Sequence, residues 1–441
     1  MGRRPHPPLV GLVLALFALA CQASPAAEGE AAPARSAAAS GLDGVTIGGV
    51  EGFADPAEAG RAIAFAHELH AKVVRIEVPW AALEPLGPGR IEPRALAQAD
   101  ELVADAGADG LGVIMLVQRT PCWASSAPKA LLRRCVPGSL RRANSWPPAH
   151  PAQFAAFVAY LASRYGARLT AIEVWNEPDQ ANQDYFAGPH KAARYAALLR
   201  AAYPAIKRAN PTVEVLAGAI VGSNGEFLRA LYKAGIKGYY NGLAVHFYTL
   251  TLAALSYIHG VQAAHGDATP LWLTEFGWSS CWPRRKLQQE QPCVTPQVQA
   301  ANITNTFRAL ARMPYVASAV LYELRDAANE EFGVLSSGSQ RKPAFAALAQ
   351  VLASPRGSVS PTTLRLRRSR GRVLASGSAA VGDYMQLEAF KRGVLRYRAL
   401  FTLNRFNRYS IALPSVLGTS GLRVRVYSYA GGPGSAAQAG V

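Results

Sequence analysis

A chain of 441 residues, half of them hydrophobic, carries enough apolar surface to bury one large core and a small second one, which excludes a disordered chain. The formal net charge of +17 admits anionic partners, and five cysteines without CxxC spacing or clustered histidines argue against a structural zinc module.

At the start of the chain, Arg3 and Arg4 precede an apolar run from Leu9 to Ala20. This run is too short to span a bilayer and reads as a secretory signal over residues 1–20. Its end, "ALAC", allows either cleavage after a small-x-small site or lipidation of Cys21, and it resembles a bacterial lipoprotein signal. Residues 21–42 are rich in Ala, Ser, Pro and Gly and read as a flexible tether. The expectation is an exported protein, periplasmic or at the cell surface, held to the membrane through a lipid on Cys21.

From residue 43 to 352, short apolar runs alternate with longer amphipathic ones. The runs are GVTIGGV (44–50), KVVRIEV (72–78), LGVIMLV (111–117), AIEVW (171–175), VEVLAGA (213–219), GLAVHFY (242–248), LWLTEFG (271–277) and SAVLYEL (318–324). Continuous apolar strands separated by helices imply parallel pairing. Eight such units predict an α/β fold, a (β/α)8 TIM barrel. A doubly wound open sheet is the alternative, but no GxGxxG or phosphate loop supports it.

In such a barrel, residues at the C-terminal strand ends share one mouth. Two glutamates stand there, Glu177 after the fourth strand and Glu275 on the seventh. Each alone has a plain structural reading, since strands often stop on a polar residue before a proline such as Pro178. Together they permit glycosidic-bond hydrolysis, one carboxyl staying protonated for the leaving oxygen and the other ionised to attack. Their environments must differ, because two glutamates start from the same solution pKa. Arg75 on the second strand is the cation at hand, with a salt bridge at the core rim as its structural alternative. Tyr248, placed on the sixth strand, can donate to the nucleophile, and Asn176 can hold the sugar 2-hydroxyl. The negative charge of the nucleophile is expected to raise the acid.

The remaining cysteines form two local pairs, Cys122 with Cys135 and Cys281 with Cys293, spaced 13 and 12 positions apart. Two disulfides are expected, in the loops after the third and seventh strands, each removing roughly 3 kcal/mol of denatured-state entropy.

The motifs RIEVPW, EVWNEPD, VHFY, LTEFGW and FGVLSSGSQRKPAFAAL resemble those of clan A glycoside hydrolases, most closely family 39 and the exopolysaccharide-hydrolase branch. The resemblance covers residues 44–352 and implies Glu177 as acid/base and Glu275 as nucleophile, with net retention. Arg75, Asn176, His246 and Tyr248 follow as supporting residues, although His246 reads equally well as a hydrogen-bonded wall. Where the family often has a strand-eight tryptophan under the sugar, this chain has Tyr322. Trp80 and Trp278 are the expected stacking platforms, and Trp123 and Trp282 are expected to pack against the disulfides. No cofactor and no catalytic metal are implied.

Residues 356–441 change character. The alternation in LRLRRSRGRVLA, DYMQLEAF, GVLRYRALFTLN and LRVRVYSY predicts a small all-β accessory domain. Between Arg365 and Arg425 there are thirteen Lys or Arg against Asp383 and Glu388. Two readings stand: a solvated arginine face on a β-sandwich, or attraction to an anionic polymer or anionic lipid headgroups. Nucleic acid is not expected, because the chain carries an export signal and no reader motif. The functional expectation is a retaining glycoside hydrolase acting on a poly- or oligosaccharide. A glycan-binding lipoprotein without turnover and a transglycosylase acting during polysaccharide export remain as alternatives.

Overall fold

The computed structural model describes residues 41–248, 251–288, 291–355, 358–380, 384–428 and 436–441. The expected signal, Cys21 and nearly all of the expected tether lie outside them. No helix of the described residues is long and apolar enough to cross a membrane.

All eight expected strands form. They are β1 (Gly44–Gly49), β2 (Val73–Pro79), β3 (Gly112–Gln118), β4 (Leu169–Val174), β5 (Glu214–Ile220), β6 (Gly242–His246), β7 (Leu271–Phe276) and β8 (Val316–Leu321). Each pairs in parallel with its sequence neighbour, and β8 closes on β1 to complete a (β/α)8 barrel. The principal helices between and after them are α1 (Pro56–Glu68), α2 (Pro93–Ala108), α3 (Pro151–Tyr165), α4 (Lys191–Ala209), α5 (Glu226–Lys233), α6 (Thr251–Ala264), α7 (Pro296–Leu310) and α8 (Pro343–Ala353). Three of the helix starts share one device. Asp55, Glu92 and Thr295 each cap the helix by accepting a backbone N–H from the first turn, with proline next in sequence where its missing N–H costs nothing.

The strands alternate between two environments. Val74, Val113, Ile172, Val215, Leu243 and Leu273 belong to the large core shared with the helices. The adjacent positions Val73, Ile114, Ala171, Leu216, Ala244, Trp272 and Val320 form a separate apolar cluster inside the barrel. Two residues further along the same strands, on the same face, come Arg75, Glu173, His246 and Thr274. The interior thus changes from apolar to charged within one period of the pleat, toward the C-terminal mouth.

Two strands, β6 and β8, end two and three residues sooner than their sequence patterns predict. Register shifts between Val245 and His246 and between Ala319 and Leu321 bend the chain away, so Tyr248 and Tyr322 sit just past β6 and β8. Both expected disulfides are formed, Cys122 to Cys135 and Cys281 to Cys293.

The C-terminal segment forms seven strands: β9 (Arg365–Ser369), β10 (Arg372–Ser378), β11 (Met385–Lys391), β12 (Val394–Phe401), β13 (Arg408–Ala412), β14 (Leu422–Ser428) and β15 (Ala437–Gly440). They make two antiparallel sheets, ordered β9-β10-β13 and β12-β11-β14-β15. Val373, Ala375, Met385, Leu387, Ala389, Val424 and Val426 are buried in one cluster of this segment. Two hairpins turn on Arg-Gly pairs, Arg370-Gly371 and Arg392-Gly393, all four residues at positive φ, the geometry that two-residue hairpin turns require. This segment is tied to the barrel. Asn407 Nδ2 donates to Asn302 Oδ1 on α7 at 2.6 Å, and the Arg405 guanidinium lies 4.2 Å from the ring centroid of Trp282 in the disulfide loop after β7.

Candidate active site

Burying Arg75 demands partners, and the barrel interior supplies them. Arg75 is 3% exposed. Its Nε donates to Glu173 Oε2 and its Nη1 to Glu275 Oε1, both at 2.6 Å, while Nη2 reaches Asn176 Oδ1 at 3.3 Å. Glu173, fully buried on β4, also accepts from the Thr274 hydroxyl at 2.8 Å. Glu275 takes a second hydrogen bond, from the Tyr248 hydroxyl to Oε2 at 2.6 Å. Across the mouth, Glu177 Oε1 is 2.8 Å from His246 Nδ1, and Gln180 Nε2 donates to its other oxygen. His246 Nδ1 is also 3.4 Å from Glu275 Oε2. The backbone at Trp175 and Glu177 adopts positive φ (73° and 44°), a departure from extended geometry as the chain leaves β4. The structure therefore brings together Arg75, Asn176, Glu177, His246, Tyr248 and Glu275, six residues singled out from sequence.

The two carboxyls are held in opposite electrostatic settings. Burial raises the Glu177 pKa more than the His246 contact lowers it, so Glu177 sits above the ordinary glutamate value. The charge of Glu275 adds to that rise, in the expected direction, with burial the larger cause. Burial also acts to raise Glu275, but the charges of His246 and Arg75 and the hydrogen bonds from Tyr248 and Arg75 outweigh it and hold Glu275 low. For His246, burial opposes the cation, yet the charge of Glu275 and the bond to Glu177 prevail and raise it. Two acids pushed apart in this way are suited to proton donation and nucleophilic attack respectively.

Residues 150–337 match the family described as Glycosyl hydrolase catalytic core. That stretch of the barrel, from α3 to the loop after β8, is similar to a glycoside hydrolase catalytic core. In fold, the chain is similar to solved glycoside hydrolases of family 39. One is a family 39 glycoside hydrolase from the gut symbiont Bacteroides cellulosilyticus WH2, at 17% identity and TM-score 0.51, covering 82% of this chain and 76% of that one. Another is the family 39 enzyme from Xanthomonas axonopodis pv. citri, at 15% identity and TM-score 0.54, covering 85% and 92%. A third is a family 39 β-xylosidase from Caulobacter crescentus, at 18% identity and TM-score 0.54, covering 79% and 82%. No curated protein matches the sequence.

The aromatic surroundings of this hydrolase core differ from the expectation. Trp80 is 0% exposed, donates its indole N–H to Glu84 and packs on Phe154 and Phe157. Trp278 is 7% exposed and meets Phe276 edge-on. Neither offers a free face, because the loops after β2 and β7 fold both indoles back into the core. Tyrosines stand at the mouth instead. Tyr322 meets Tyr248 and Phe332 edge-on and donates to Glu330. Tyr185 lies beneath the Arg119 guanidinium at 5.3 Å, and its pKa is raised first by burial and then by the charges of Glu177 and Glu275. Trp282, expected beside its disulfide alone, is covered by Arg405 and meets Phe406 edge-on.

Glu173, Thr274, Gln180, Tyr185 and Glu323 are site residues not singled out from sequence, although Glu173 and Thr274 lie inside the motifs EVWNEPD and LTEFGW. Glu173 had a readable signal, an acid within an apolar run near the end of β4, which burial obliges to find a cation. Glu323, directly after Tyr322, is pushed up to about 8, first by burial and then by the charges of Glu330, Asp326 and Glu275. It had no such signal, because its surroundings come from the loop after β8.

Glu177, His246 and Glu275 each place one ligand-type atom within 4.8 Å of the others, the spacing of a small metal site. Arg75 already puts a positive charge on Glu275 at 2.6 Å, and a divalent ion there would face that charge. The set fits hydrogen-bonded acid chemistry better than cation binding.

Proposed function

We propose that the protein is a retaining glycoside hydrolase that cleaves O-glycosidic bonds of poly- or oligosaccharides, exopolysaccharides included, by double displacement. The carrying observation is that one imidazole nitrogen touches both carboxyls, His246 Nδ1 lying 2.8 Å from Glu177 Oε1 and 3.4 Å from Glu275 Oε2. Retaining enzymes hold their two carboxyls close together, whereas inverting enzymes set them further apart to admit a water between them, and the shared contact supports the closer arrangement.

Glu275 attacks the anomeric carbon as the bond to the leaving oxygen breaks, and Glu177 transfers its proton to that oxygen. The product is a glycosyl ester on Glu275. Glu177, now ionised, takes a proton from water as that water attacks the same carbon, and the Glu275 carboxylate departs. Arg75 and Tyr248 hold the nucleophile ionised between turnovers. Asn176, fixed by Arg75, is placed to bind the 2-hydroxyl as charge develops on the ring. Tyr322 and Tyr185 replace tryptophan as the apolar faces of the cleft. Export and lipidation at Cys21 remain part of this proposal, supported by the signal-like N-terminus and by two disulfides, which persist in oxidising compartments.

The test is a panel of aryl glycosides and polysaccharides with Glu275→Gln as control, followed by proton NMR of the first-formed anomer. Xylosides lead the panel because a family 39 structural relative is a β-xylosidase. Release by the wild type alone, with retained configuration, supports the reading; an inverted first product or equal release by E275Q overturns it.

A further inference from the structure

The outer face of the β12-β11-β14-β15 sheet carries a recess of about 700 Å³ that the catalytic reading does not use. Phe390, Arg392, Arg423, Arg425 and Gln438 line it. Its construction follows from register. Arg423 and Arg425 are two apart on β14 and so share a face, opposite Gly440 and Gln438 on β15. Gly440, having no side chain, leaves the space in front of Arg423 open. Arg392 enters from the tip of the β11-β12 hairpin, where it is held at φ 51°.

The charges here are unequal in their commitments. Glu388, 1% exposed, lies on the same face and is saturated, accepting from Arg425 Nε at 2.5 Å, Arg398 Nε at 3.1 Å and Gln386 Nε2 at 2.8 Å. Those contacts fix Arg425, whose guanidinium also lies 5.0 Å from the Phe390 ring and 5.7 Å from that of Tyr427. Arg392 and Arg423 are exposed and have no carboxylate side-chain partner among the described residues. The recess therefore presents one prepositioned guanidinium, two uncommitted ones and an amide. Guanidinium forks match carboxylates in a bidentate way.

We propose that this recess binds the carboxylates of an anionic, uronate-type polysaccharide. The inference deepens the hydrolase reading and rests on it for the choice of a glycan over other polyanions. The concave placement of the arginines suits a chain that lies along a sheet face. The ties of this segment to the barrel, Asn407 to Asn302 and Arg405 over Trp282, keep a captured polymer close to the catalytic core and raise its effective concentration there.

The test uses the full chain carrying Glu275→Gln, so that polymer is not consumed, titrated with polygalacturonate and with neutral xylan at low and high salt. Arg392→Gln/Arg423→Gln should weaken polygalacturonate binding about tenfold or more without changing the response to xylan. The control Arg367→Gln/Arg368→Gln removes equal charge from the exposed β9 strand and should leave binding intact. Equal losses in both double variants, no polygalacturonate binding, or binding confined to phosphatidylglycerol vesicles would each overturn the proposal. Wild-type hydrolysis of neutral glycans without polygalacturonate binding sinks this inference alone. Binding at the recess without hydrolysis of any glycan sinks the catalytic reading alone.

Discussion

Tyr248→Phe isolates one contact of the nucleophile. The substitution removes a single hydroxyl, which donates to Glu275 Oε2 at 2.6 Å, and leaves the ring contacts with Tyr322 and Phe332 available. A hydrogen bond to a charged group contributes about 1.5–3 kcal/mol, equivalent to about one to two pKa units in Glu275. Because the lost donor favoured the ionised form, the Glu275 pKa must rise. The acid limb of kcat/KM therefore moves up by about one unit, and kcat/KM at its optimum falls about tenfold or more. The fold responds in the same sense. The Glu275 pKa is depressed in the native state, so its contacts stabilise above the ordinary glutamate pKa, and that stability is lost as pH falls through the folded value. The assay is a pH profile of kcat/KM on the aryl glycoside that the panel identifies, with thermal unfolding of both proteins alongside. An acid limb that does not move, with kcat/KM unchanged, refutes the assignment of Tyr248 as a donor to a working nucleophile.

Two half-buried acids outside the catalytic pair, Asp43 and Glu323, report in overlapping pH windows of different width. Burial raises Asp43 from 3.8 to about 6, with the Ala319 N–H opposing, so its contribution is present at acidic pH and lost as pH rises through about 6. Asp43→Asn keeps the acceptor and should raise Tm near neutral pH, by at most about 3 kcal/mol in stability, but not at acidic pH; equal Tm at neutral pH refutes it. Glu323, raised from 4.5 to about 8, loses its contribution as pH rises from the first value to the second, so Glu323→Gln should flatten the fall in Tm across that range, and parallel wild-type and variant curves refute it. A double-mutant cycle of Trp282→Ala and Arg405→Ala should show a stability coupling of about 0.5–1 kcal/mol from their cation–π contact, whereas zero coupling means that the contact does not hold the two parts together.

The barrel was legible because its strands are buried on both faces and read as continuous apolar runs, such as LGVIMLV and GLAVHFY. The residues gathered at the mouth were legible where they lie on those strands or directly after them. What escaped lies elsewhere. Trp80 and Trp278 stand at the right places in sequence, but whether an indole faces a cleft or the core depends on how the following loop folds, and that loop packs both inward. Glu173 escaped although it opens EVWNEPD one residue before the end of β4, because its role comes from burial against Arg75, a contact made across the barrel rather than along the chain. The strands Arg408–Ala412 and Ala437–Gly440 escaped as well. The first is short, and the second, AQAG, has no β-branched or aromatic residue and pairs only along the edge of β14.

The most direct test of the central claim uses Glu177→Gln and an aryl glycoside whose leaving group departs without a proton. The first step then proceeds at Glu275 while the second lacks its base, so the glycosyl-enzyme should accumulate. Intact-mass measurement followed by peptide mapping should find one added glycosyl group on the peptide containing Glu275. No adduct under conditions where the phenol is released, or an adduct on another residue, would contradict double displacement through Glu275.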